Sequence, residues 1–158
     1  MSKLVVYFSY TGHTRKIAEW IKEKLNCDIL ELNPVIPYSD DYQKVVDDEQ
    51  NNDSTGKLVE IEKITCDLTK YDKIIIGTPV WWYSIAPVIR TFLTENDLTG
   101  KTIIPFATNA GWLGKTFKEI ETLCPNSNVE NEMNILFASY SDNLITKEEE
   151  INKWITTL

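Results

Sequence analysis

The segment Lys73-Ile74-Ile75-Ile76-Gly77-Thr78 is apolar without alternation. An unbroken β-branched run of this kind marks a strand buried on both faces, the usual setting of a central strand in a parallel sheet. Parallel neighbours must be joined by crossovers, usually helices, and helix-period stripes do fall between the apolar runs. Ile17, Trp20, Ile21 and Leu25 follow a first strand at about Lys3–Phe8. Ile89, Phe92 and Leu93 follow the isoleucine run, with Pro87 placed to start their helix. Leu113, Phe117 and Ile120 follow the strand in "KTIIPFAT" and are closed by Cys124-Pro125. Ile151, Trp154, Ile155 and Leu158 form a last stripe, for which Thr146 and Glu149 have capping-box spacing. Further strands are expected at Asp28–Leu32 and within Val129–Phe137. The pattern is close to (βα)5 and predicts a three-layer α/β fold around a doubly wound, five-stranded parallel sheet.

Two stretches fit less simply. Pro105 lies inside its strand and removes a ladder donor, so a bulge or an edge position is expected there. Between Pro37 and Lys63, the residues Tyr42, Val45 and Val46 suggest one or two helical turns, after which "DDEQNNDSTG", from Asp47, reads as an exposed loop.

With 158 residues, 42% of them hydrophobic, the chain is expected to form a single domain over residues 1–158. Its net charge of −8 argues against nucleic-acid partners, which need clustered Lys and Arg. The acidic groups Asp40, Asp41, Asp47, Asp48, Glu49, Asp53 and Glu148 to Glu150 read as solvated faces. The apolar runs are too short to cross a membrane and the N-terminus lacks the features of a secretory leader, so a soluble, cytoplasmic protein is expected. Cys27, Cys66 and Cys124 are odd in number and widely spaced, which suggests buried, reduced thiols rather than disulfides or a metal site.

A doubly wound sheet binds ligands beyond the carboxyl ends of its strands, at the point where strand order reverses. In the order 2-1-3-4-5, the loops after strands one, three and four lie side by side there. The first is "SYTGHT". An α-helix N-terminus attracts anions through unpaired amides and the helix dipole. Gly12 permits close approach, and the hydroxyls of Ser9, Thr11 and Thr14 suit a phosphate monoester, although Thr11 as a simple helix cap explains the same residues. The second, Pro79, Val80, Trp81, Trp82 and Tyr83, places three rings in succession. Side chains of adjacent residues cannot all point into the core, so at least one is available to cover a flat ligand. The third supplies Thr108, Asn109, Ala110 and Gly111, small residues whose amides can meet a planar ring, with a capping role for Asn109 as the alternative. Together they describe flavin mononucleotide (FMN) better than another common cofactor. Neither GxGxxG nor GxxxxGK[ST] is present, and no Cys or carboxylate stands where a phosphatase or a response regulator of similar topology would need one.

With these residues in view, the chain resembles the flavodoxin-like family, in particular its short, flavodoxin-4-type members. "YFSYTGHTRKIAEWI" is similar to the family's phosphate-loop segment and "IGTPVWWYSIAPVIRTFL" to its second flavin loop. The resemblance implies strand order 2-1-3-4-5 and noncovalent FMN. The phosphate is then held by the segment Ser9, Tyr10, Thr11, Gly12, His13 and Thr14, and the ring lies between residues 79–83 and 108–112. It also implies electron transfer through the flavin without catalytic side chains or a metal, to redox partner proteins or a small-molecule acceptor, by a monomer or a homodimer. An FMN-dependent NAD(P)H reductase of quinones or nitro compounds is the alternative; a non-redox binding module of the same fold is a further one.

Overall fold

The structure is a computed structural model in which residues 2–45, 47–48 and 58–158 are described. Its elements run β1 (Lys3–Tyr7), α1 (His13–Leu25), β2 (Asp28–Glu31), β3 (Lys73–Trp81), β4 (Ser84–Ile85), α2 (Pro87–Glu95), β5 (Thr102–Asn109), α3 (Thr116–Leu123), β6 (Asn128–Val129), β7 (Met133–Leu136) and α4 (Glu148–Ile155). The sheet order is β2-β1-β3-β5-β6, with β7 continuing beside β5 and the short β4 folded back antiparallel on β3. With β6 and β7 as one interrupted fifth strand, this is the expected parallel order.

The isoleucine run behaves as its composition demands. Ile74 and Ile76 point to one face, where Val88, Ile89, Phe92 and Ile120 of α2 and α3 cover them. Ile75 points to the other, beneath Ile17, Ala18 and Ile21 of α1 and Ile151 and Ile155 of α4. β3 is therefore bonded on both edges and buried on both faces. Gly77 interrupts the run because Phe106 lies opposite it in register and lays its ring over the glycine: a Cβ at residue 77 would stand 2.2 Å from Phe106 Cζ.

Pro105 is not at an edge. Glu130 N–H donates to Ile103 O, so Pro105, two residues on, turns its donorless nitrogen toward the same neighbour. That neighbour is interrupted at this point. Register steps from Ile103↔Val129 to Phe106↔Met133, one residue more on the outer strand, with Asn131 at φ 56°. The bulge is held by α4 and the residues that follow it, since Trp154 Nε1 donates to Asn131 O and Asn131 Nδ2 to Thr157 Oγ1.

Four other expectations are corrected. The capping box is not formed: Lys147 is the N-cap of α4, and Thr146 Oγ1 instead accepts from Leu136 N–H. Leu113 precedes α3 rather than belonging to it. Cys27 and Cys66 are only partly buried; Cys124 is fully so, and burial pushes its thiol up to about 11. Residues 42–45 are helical as expected, but so are Asp47 and Asp48, which the sequence suggested as loop. Val46 and the remaining loop expectation, 49–56, lie outside the described residues. Among the described residues no helix is long and apolar enough to cross a membrane.

Gly77→Ala is expected to lower unfolding free energy by about 1–3 kcal/mol, the usual cost of overpacking a core, measured by urea denaturation.

Candidate functional site

The carboxyl ends of β1, β3, β5 and β7 open into a cleft of about 550 Å³, within the range for small-molecule sites. One end is made by Tyr10, Thr11 and His13 of the first loop; Pro79, Val80, Trp81, Asn109, Ala110 and Trp112 line its walls. A smaller recess of about 200 Å³ adjoins it, between Tyr42, Trp82, Tyr83 and Trp112.

In the first loop, Gly12 is the residue preceding α1, at φ 99°, and no side chain caps the helix. Ser9 Oγ instead accepts from Gly12 N–H at 3.1 Å, which folds the loop around the helix start. The first-turn amides have no intrahelical acceptor, and the exposed Thr11 lines the cleft beside them. Thr14 lies inward of the loop. It is 1% exposed, and its hydroxyl lies 2.7 Å from that of Thr108, tying α1 to β5 from beneath. His13 stacks on Phe137 at 4.1 Å between ring centres and donates to Asp142 Oδ1 at 3.0 Å. Arg15 pairs with Glu31.

The second loop is largely not a loop. Pro79, Val80 and Trp81 continue β3, and the chain then turns through Trp82 and Tyr83 into β4, with Trp81 paired to Ser84. Both turn residues have positive φ, 52° and 61°. A two-residue hairpin of that conformation prefers Asn-Gly, and an L side chain held there costs about 1–2 kcal/mol. Trp81 packs edge-on against Phe8, Tyr10 and Tyr38 at 5.1–5.8 Å, whereas Trp82 is half-buried and lines the recess. Of the two tryptophans, Trp81 is thus the one built into the protein.

In the third loop Asn109 does not cap α3. Its Oδ1 accepts from Gly111 N–H at 2.9 Å and Trp112 N–H at 3.1 Å, while its Nδ2 donates to Asn134 Oδ1. Two amides that the sequence offered to a ligand are therefore turned back on the loop, and Ala110 and the indole of Trp112, 56% exposed, remain as wall. The sequence reading missed the segment after β7, where Ala138, Ser139, Tyr140, Ser141 and Asp142 close one side of the cleft, and missed Tyr42 opposite. Their signal was topological: a loop after the fifth strand opens at the same sheet edge as the others. Tyr42 and Tyr140 lie edge to face at 6.2 Å across the mouth. Burial pushes the Tyr10 phenol up, and the carboxylates of Asp40 and Asp41 add to the shift.

A sequence model of flavodoxins, Flavodoxin_4, matches residues 2–158. The chain belongs to this flavodoxin family. Among solved structures, a candidate flavoprotein from Bacteroides uniformis is 29% identical, with 98% of this chain and 97% of that one covered at a TM-score of 0.80. A flavoprotein from Lactobacillus acidophilus, solved in complex with FMN, is 25% identical, with 97% of each chain covered at 0.77. A candidate flavoprotein from Bacteroides eggerthii is 26% identical, covering 99% and 96% at 0.78. No curated protein matches the chain.

Thr14→Val leaves the Thr108 hydroxyl, 4% exposed, without this partner. The expected loss of unfolding free energy is about 1–3 kcal/mol, read from denaturant midpoints.

Proposed function

We propose that this flavodoxin-family protein binds FMN noncovalently in the cleft and carries electrons through it. The observation that carries the reading is the pairing, within one cleft, of an α-helix N-terminus wrapped by a hydroxyl-bearing loop with walls of aromatic rings. The FMN complex of the Lactobacillus acidophilus relative supports it. FMN supplies the redox chemistry, taking up and releasing electrons at its ring.

The chain's residues bind, orient and shield. Thr11 and the first-turn amides of α1 take the phosphate, with Ser9 bracing the loop. His13, the only histidine of the chain, stands beside them. Val80, Trp81, Ala110 and Trp112 exclude water from the ring faces, with Trp82 beside them in the recess, and offset or edge contacts with such rings add about 0.5–1.5 kcal/mol beyond area burial. The carboxylate of Asp142 lines the cleft and those of Asp40 and Asp41 act on Tyr10 beside it; such negative charge disfavours adding negative charge to a bound ring and steers basic partners toward it.

Reduction of small planar acceptors with NAD(P)H is a second reading, favoured by the exposed rings of Tyr42, Tyr83, Trp112 and Tyr140 around the mouth. Steady NAD(P)H consumption with a quinone and no added reductase is the result expected of that reading; its absence across several acceptors leaves the carrier.

FMN added to the purified protein is expected to lose fluorescence on binding, and riboflavin to bind more weakly. Thr11→Val is expected to weaken FMN about tenfold, the low end for a hydrogen bond to a charged group, and to leave riboflavin unchanged. Equal affinities for FMN and riboflavin in the wild type would overturn the phosphate assignment, and no binding of either would overturn the cofactor.

A further inference from the structure

We propose that Gly114 and the Arg90–Glu119 pair are positioning residues that lock the two sides of the aromatic recess beside the cleft together, so that the Trp82–Tyr83 turn and Trp112, which also lines the cleft, move as one unit. The inference deepens the FMN reading and rests on it for its functional consequence.

The turn needs an external hold. Two bulky residues at φ 52° and 61° occupy positions where a hairpin of this length ordinarily takes Asn and Gly, so the local sequence does not specify the conformation it adopts. Tertiary contacts that over-determine a strained backbone are the physical condition for its survival.

Contacts of this kind come from α2, α3 and the residues just before α3. Gly114, at φ 55°, touches the turn backbone to backbone: a Cβ there would lie 2.4 Å from both Cβ and O of Tyr83 and 2.8 Å from its Cα. Lys115 N–H donates to Tyr83 O at 2.8 Å. One turn further on, Glu119 Oε1 accepts from Ile85 N–H at 3.3 Å and Glu119 Oε2 from Arg90 Nε at 2.8 Å. Arg90 in turn reaches Ser84 Oγ at 3.4 Å. The Arg90 and Glu119 side chains are only 13% and 19% exposed, so removing either leaves a charged partner in a largely dry site.

The same stretch of chain carries the opposite wall. Trp112 stands two residues before Gly114, and its own N–H is held by Asn109 Oδ1. The third loop is therefore pinned at Asn109 on one side and at Tyr83 on the other, with Trp112 between the pins. A displacement of the turn must pull on Gly114 and Lys115, and through them on Trp112. The spacing of the walls is set by backbone contact rather than by freely rotating side chains, which pre-organises the cleft for a rigid planar ring.

The five tryptophans make the test direct, because each indole N–H gives one resonance in a proton–nitrogen correlation spectrum. Trp20 donates to Asn152 Oδ1 and Trp154 to Asn131 O, both far from the turn in sequence, and they report on the rest of the fold. In FMN-free protein, Gly114→Ala and Glu119→Ala are expected to shift the Trp82 and Trp112 indoles together and to leave Trp20 and Trp154 in place. Glu119→Gln, which keeps an acceptor for Ile85 N–H, is expected to give a smaller shift of the same pair. FMN affinity is expected to fall about tenfold in Gly114→Ala.

Movement of Trp82 with Trp112 unchanged would overturn the proposal, as would coupled movement with FMN affinity unaltered in every variant. If Gly114→Ala shifts all the indoles or fails to fold, Glu119→Gln decides by the same criterion. A wild type that binds no FMN overturns the cofactor reading, and the coupling is still decided by the FMN-free spectra.

Discussion

β3 is hydrogen-bonded to β1 on one edge and β5 on the other, and each of its faces lies under a pair of helices. A strand so enclosed cannot shift register or tilt without breaking two ladders and two packed layers, because a one-residue slip exchanges its faces. Everything at its carboxyl end inherits that rigidity. Pro79, Val80 and Trp81 remain in the strand as it leaves the core, so the aromatic wall begins as an extension of the sheet.

The loops around this end are tied to one another more than to solvent. Thr14 and Thr108 join the first loop to the third beneath the cleft floor. His13 on Phe137, with Asp142, joins the first loop to the segment after β7. Tyr83 with Gly114 and Lys115 joins the second to the third. Each link is modest on its own, and the exposed His13–Asp142 pair least of all. Joined in series beside one rigid strand, from the second loop through the third and first to the segment after β7, they leave the cleft walls few independent motions. The family's fold places a ligand site at this edge; the links give the site of this chain its particular shape.

Much of this was legible beforehand. The parallel sheet, the strand order implied by the family resemblance, the helices that cover each face and the three loops that meet followed from periodicity and from where glycine, proline and hydroxyl residues stand. The misreadings share a cause. Thr146 and Asn109 have the spacing or chemistry of caps, yet each hydroxyl or amide found a different partner: Leu136 N–H across the chain in one case, the loop's own Gly111 and Trp112 in the other. A hydroxyl or amide side chain bonds whichever backbone or side-chain group the fold brings nearest, and sequence spacing shows only the local candidates.

The sequence by itself determined the layers and the edge at which function is to be sought, because hydrophobic period and β-branching act through local geometry and burial that each segment carries with it. Tertiary structure alone decided the conformation of the Trp82–Tyr83 turn, the inward role of Thr14, the self-bonded amides of the third loop and the fourth side of the cleft at residues 138–142. These depend on contacts between segments distant in sequence, of which the approach of Gly114 to Tyr83 is the clearest. Glycine at residue 114 is readable as a letter, but that it is needed to let one backbone lie against another is a fact of packing.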